Sequence, residues 1–135
     1  MTKTELKKII YLDMIINSKV KQLENLRAKR FSITGPMLRD DYTPAPKFGG
    51  GSKEENLVIK IIDFEAEINK DIDRLIDLKR RAKREIDKLD EPYCAVLTMR
   101  YLEGLKWDKI ADRMGYSLRA VYRIHGIALE ILKSV

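Results

Sequence analysis

The chain has 135 residues, 27 of them Lys or Arg and 21 Asp or Glu, for a formal charge of +6 and an isoelectric point near 9.4. That length holds one compact domain, or a small domain carrying an extended helical arm, and the basic balance favours polyanionic partners without proving them. A single cysteine, Cys94, excludes an intramolecular disulfide and a Cys-based zinc site and fits a reducing, cytoplasmic home. The charged start, Met1-Thr2-Lys3-Thr4-Glu5, argues against a signal peptide. No apolar stretch approaches the ~20 residues that cross a bilayer, so a soluble protein without a membrane partner is expected.

From Thr4 to Arg30, Leu6, Ile9, Leu12, Ile16, Val20, Leu23 and Leu26 recur at steps of three and four, the period of a helix with one apolar stripe. Thr4, or Thr2 before it, can cap its start. The period then breaks. Residues 31–51 hold Gly35-Pro36, Pro44, Pro46 and Gly49-Gly50-Gly51, a composition that disfavours regular structure and predicts a flexible loop. The glycine run lacks the Gly-Lys-Ser/Thr ending and preceding strand of a phosphate loop. Ser52 with Glu55 reads as a capping box.

A second long helix is expected from there to about Leu89. Leu57, Ile61, Phe64, Ile68, Ile72, Leu75, Ala82, Ile86 and Leu89 form its seam, interrupted by Lys79. Such a seam needs a partner helix. The first helix is the obvious one, giving an antiparallel hairpin arm over 1–89; a seam shared between two chains of a homodimer leaves the same pattern. Within it, residues 79–84 concentrate positive charge, either as solvated helix surface or as a phosphate clamp.

Asp90-Glu91-Pro92 suits the first turn of a new helix, expected to run to about Leu102 and to stop at Gly104. Two more helices, about Lys106–Met114 and Leu118–Lys133, flank Gly115-Tyr116-Ser117. Trp107 to Ile124 meets the requirements of a helix-turn-helix together. Ala111 is small where two helices cross, and Gly115 can take the positive φ of the turn. Ile110, Met114, Val121 and Ile124 supply the core, and Ser117 can cap the second helix.

The segment from Pro92 to Ser117, with its Arg100-Tyr101, Gly104-Leu105 and Ile110-Ala111 pairs and its Gly115-x-Ser117 turn, resembles the fourth region of bacterial sigma factors. The order of features along the whole chain, ending in Val121-Tyr122-Arg123-Ile124-His125-Gly126, resembles small transcriptional regulators of Gram-positive phages and prophages, the ArpU/RinA-like late-transcription regulators. The resemblance implies activation of late phage genes through promoter DNA and contact with host RNA polymerase. Where sigma factors carry an Arg-Glu-Arg run this chain has Leu118-Arg119-Ala120, so their promoter element is not assumed to be its target.

With Val121 and Ile124 facing inward, Arg119, Ala120, Tyr122 and Arg123 project from the end of the helix that enters a major groove. Arginine pairs bidentately with guanine or contacts phosphate, and Tyr122 can meet phosphate or a thymine methyl. Lys106, Lys109 and Ser117 are candidates for phosphates. His125, the only histidine, can reach DNA or pack within the head; Trp107 is expected in the head's core rather than on a base. Cys94 near a helix start could have a lowered pKa, although burial in the head is the expected alternative. Asp63, Glu67, Asp71 and Asp73 read as surface partners of Lys70 and Arg74. No nucleophile, base and oxyanion donor assemble, so no enzyme, metal or cofactor is expected.

The sequence thus predicts an all-α protein, a long antiparallel helical hairpin plus a sigma-region-4-like helix-turn-helix head over 90–135. Its expected partner is double-stranded DNA at a promoter. The rival readings are a module that binds RNA polymerase or an antagonist protein through the head, and a DNA-packaging accessory protein.

Overall fold

The computed structural model describes residues 1–34 and 53–134, and all elements within them are helical: α1 (Lys3–Thr34), α2 (Lys53–Ile86), α3 (Tyr93–Leu97) continuing into a π-helical turn (Thr98–Leu102), α4 (Trp107–Met114) and α5 (Leu118–Ser134). Helices α1 and α2 pack as a hairpin, followed by the C-terminal head. Residues 31–34, expected in the flexible loop, continue α1 instead, since the first helix breakers are Gly35 and Pro36. The rest of that loop and the proposed cap at Ser52 lie outside the described residues.

Helix α1 begins with a reciprocal cap. The Glu5 amide donates to Thr2 Oγ1 at 3.3 Å and the Thr2 amide to Glu5 Oε2 at 3.0 Å. Thr2, rather than Thr4, is the capping residue. At the other boundary, α2 ends three residues before the expected Leu89. The amides of Lys88 and Leu89 turn back to the carbonyls of Glu85 and Ile86, tightening the last turn while Leu89 stays buried.

By contact the chain divides into two compact units, and the division cuts across the hairpin: Ile15–Ile72 forms one, and Met1–Met14 with Asp73–Val135 the other. In the first, Leu23, Leu57, Ile61 and Ile68 are buried, with Val20, Leu26, Phe64 and Ile72 against them, the stripes read from the sequence. Lys19 makes polar contacts across this seam. Lys19 Nζ bonds Asp71 Oδ2, and also Glu67 Oε1 at 3.2 Å. Asp71 is buried, so it is a cross-helix partner and not the surface decoration expected of it. The hydrogen bond to Asp71 raises the Lys19 pKa above its ordinary value despite partial desolvation. Arg27 pairs with Glu65 at 2.7 Å between exposed side chains, a contact of little energetic consequence.

In the second unit the first turns of α1 and the last turns of α2 contribute Leu6, Ile9, Ala82 and Ile86, all essentially inaccessible. The head buries Val96, Ile110, Ala111, Val121 and Ile124, with Tyr93, Met99, Leu105, Trp107 and Met114 around them. The expected single helix to Leu102 is not continuous. After Leu97 it widens into the π turn, closed by the Glu103 amide on the Thr98 carbonyl at 3.0 Å. Gly104, at φ 72°, then reverses the chain as expected.

Removing Lys19 alone strands a buried carboxylate, whereas replacing both partners with apolar groups removes the desolvation cost as well. The Lys19→Ala variant should therefore melt below wild type, and the Lys19→Met/Asp71→Leu double variant should recover the loss, as read by thermal circular dichroism. Equal melting of Lys19→Ala and wild type would remove the ion pair from the account of the seam.

Candidate nucleic-acid interface

The turn between α4 and α5 is built as its residue types require. Gly115 sits at φ 70°, a left-handed conformation that suits glycine. The Tyr116 amide reaches back to the Ala111 carbonyl at 3.1 Å, closing α4. Ser117 Oγ accepts the Ala120 amide at 3.1 Å and so caps α5, while its carbonyl receives the Val121 amide. Ala111 is buried where the helices approach, as the helix-turn-helix reading requires.

These anchors fix which side of α5 faces out. Val121, Ile124, His125, Ala128 and Leu132 are buried. Arg119, Tyr122 and Arg123 are exposed, and Ala120 is half-buried beside them. Ser117, Arg119, Ala120 and Arg123 line one open hollow. Lys106 and Lys109 are exposed on α4 and at its N-cap. Among the described residues none of these four cations forms an ion pair within the chain. By contrast Arg113 pairs with Glu103, Arg81 with Glu5 and Lys83 with Asp87. In the basic run 79–84, Ala82 is buried and two of the cations are thus engaged internally.

From sequence, Leu118 reads only as a departure from the sigma pattern and not as a contact. It is 40% exposed, one turn from Tyr122, which is 47% exposed. Val121 and Ile124 occupy the inward side of the helix. The outer face of α5 therefore carries two adjoining rows, an apolar one (Leu118, Tyr122) and a cationic one (Arg119, Arg123). In a major groove the first suits thymine methyl groups and the second guanine edges or phosphates.

Behind this face lies an aromatic cluster centred on the buried Tyr101 and His125. Tyr101 Oη and His125 Nε2 are 2.7 Å apart, and the two rings stack at 5.7 Å between centroids. Trp107 meets His125 edge-on at 4.6 Å and Tyr122 at 5.3 Å. The Arg100 guanidinium lies 4.5 Å over the Trp107 ring and donates to the Leu105 carbonyl at 3.0 Å. His125 is thus a packing residue and is not available to DNA. Burial, then the positive charges of Lys3, Arg100 and Lys7, hold its pKa down at about 4, so the ring is neutral at physiological pH. Burial pushes the Tyr101 hydroxyl up, opposed by Arg100. Trp107 packs against the core as expected, although it is only partly buried. Cys94 is half-buried rather than enclosed; burial, chiefly, raises its thiol pKa, the reverse of an activated nucleophile.

Among the described residues no group of three His, Cys, Asp or Glu side chains could hold a metal ion, and no helix is long and apolar enough to cross a membrane.

Because His125 binds a proton more weakly folded than unfolded, protonation favours unfolding in acid. Stability should be unaffected by this group above pH 6.5 and should fall as the pH drops from about 6.5 towards 4. In His125→Gln the decline between pH 6.5 and 5 should flatten. Tyr101→Phe, which leaves the histidine nitrogen without its partner, should cost about 1–3 kcal/mol at pH 7 by denaturant titration.

No curated protein and no solved structure shows significant similarity to the chain. A protein-family comparison matches residues 79–124, about a third of the chain, to Sigma-70, region 4, and finds no catalytic family. The match takes in the last turns of α2 as well as α3, α4 and the first half of α5. The head of this chain is accordingly a sigma-70 region 4-like helix-turn-helix, which suggests DNA binding in transcription.

Proposed function

We propose that the chain is a sequence-specific DNA-binding transcription regulator, an activator of phage or prophage late genes, that reads the major groove with the first half of α5. The observation that carries the reading is the pair Arg119 and Arg123. They stand one turn apart, exposed and without an internal anion, beside the Ser117 cap of a helix-turn-helix. Free guanidinium groups at the entering end of such a helix fit guanine edges and phosphates. Lys106, Lys109 and Ser117 flank them and contact the sugar-phosphate strands, while Ala120 and Tyr122 complete the reading face. The match to the sigma-70 region 4 family supports the transcriptional setting.

A homodimer reading two half-sites fits the weak binding of a single head. The exposed Ile59 and Ile62 of α2 supply apolar surface on the arm for such pairing. Host RNA polymerase is the protein partner expected of an activator. A second reading, a head that docks mainly on polymerase or an antagonist protein, draws on the hollow where Tyr93, Tyr116, Ile124 and Ile127 adjoin Ala120 and Arg123 of the reading face.

The first test is immunoprecipitation and sequencing across host and phage genomes, wild type against an Arg119→Ala/Arg123→Ala variant. A sharp peak upstream of a late operon, lost in the variant, is expected. A peak at a packaging site points to the accessory role, and a peak unchanged by the variant points to protein docking. With the recovered site in vitro, each arginine variant should lose about 1–3 kcal/mol and relax specificity at one position, while Lys106→Ala and Lys109→Ala should weaken all sequences alike and lower the salt slope by about 1. A monomer in equilibrium sedimentation at micromolar concentration, with and without DNA, would reject the dimer.

A further inference from the structure

Gly126 occupies the ninth position of α5, in the interior of a 17-residue helix. Glycine there destabilises the helix relative to alanine. Among the described residues nothing packs where its side chain would stand. Its backbone is not in the left-handed region, and a Cβ built on it meets no atom within 4 Å. It caps no helix end, since α5 continues to Ser134. A side chain at this position would therefore stand in open space on the outside of α5.

Its position says what comes there. At about 100° of rotation per residue, Gly126 falls between Tyr122 and the Arg119–Arg123 row. That is the middle of the exposed face, opposite the buried Val121, Ile124 and Ala128. It lies one turn beyond Tyr122 and Arg123, on the stretch of α5 that follows the groove-entering end. A surface that meets the first two turns of this face continues over bare backbone at the third. Glycine in such a place is characteristic of close approach by another backbone or a ligand.

Resting on the DNA-binding reading above, we infer that Gly126 is a close-approach point, where one sugar-phosphate strand bordering the major groove passes directly against the α5 main chain. The contact extends the interface one turn beyond the reading residues and sets how deeply the helix seats. A methyl group at this position separates the two backbones and withdraws Arg119 and Arg123 from the bases.

The inference predicts effects of opposite sign from one substitution. Gly126→Ala in the full chain should raise the melting temperature by roughly 3–6 °C, because the Cβ enters open space and the helix gains propensity. The same variant should bind duplex DNA about tenfold more weakly, within the range that overfilling a close contact costs, and Gly126→Ser should lose more. The probe is the duplex recovered by wild type from a random-sequence library, with affinity measured by fluorescence anisotropy. A stabilised variant that binds this duplex as tightly as wild type overturns the inference and leaves the DNA-binding reading standing. If wild type enriches no duplex, the DNA-binding reading itself fails, and this inference with it.

Discussion

The contact on which the reading head depends is the buried hydrogen bond between Tyr101 and His125. It joins the π turn to the middle of α5, and Trp107, from the first position of α4, closes against the same imidazole. Three elements thus meet on one neutral ring. A buried polar group must be satisfied or it costs more than its burial returns. The histidine therefore permits little rotation of α5 about its axis. With His125, Val121 and Ile124 turned in, Leu118, Arg119, Tyr122, Arg123 and Gly126 are turned out.

The π turn is part of this constraint. A regular α-helix from Tyr93 to Leu102 would advance Arg100 and Tyr101 differently around the axis. With the widened turn, Tyr101 enters the core and Arg100 lies over Trp107 while donating to the Leu105 carbonyl. Such widened turns often accompany functional sites. Arg100 is consequently spent on the fold, and its charge helps to keep His125 unprotonated. Among the described residues Lys106, Lys109, Arg119 and Arg123 form no ion pair within the chain and remain available to a polyanion.

The arm follows a different logic. Its two stripes bury aliphatic side chains along both helices, and one lysine, Lys19, is held against the buried Asp71 in place of another apolar pair. A polar pair at such a seam favours one register, because any shift of one helix along the other separates Lys19 from the buried Asp71.

Much of this was legible in one dimension. The helical period of the apolar residues located both arms of the hairpin, since a buried stripe must recur every three or four positions whatever lies opposite it. Gly115, Ala111 and Ser117 announced the helix-turn-helix because positive φ, close crossing and capping each admit few residue types. The outward placement of Arg119, Tyr122 and Arg123 followed from the inward placement of Val121 and Ile124. Pairings distant along the chain were not legible. That His125 meets Tyr101, that Asp71 meets Lys19 and not a neighbour on its own helix, and that the helix after Pro92 widens at Thr98 all depend on side chains brought together from separate segments. The exposure of Leu118 and the open space at Gly126 belong with them. A local pattern states which residues can turn inward; only the packed helices decide which of them find room.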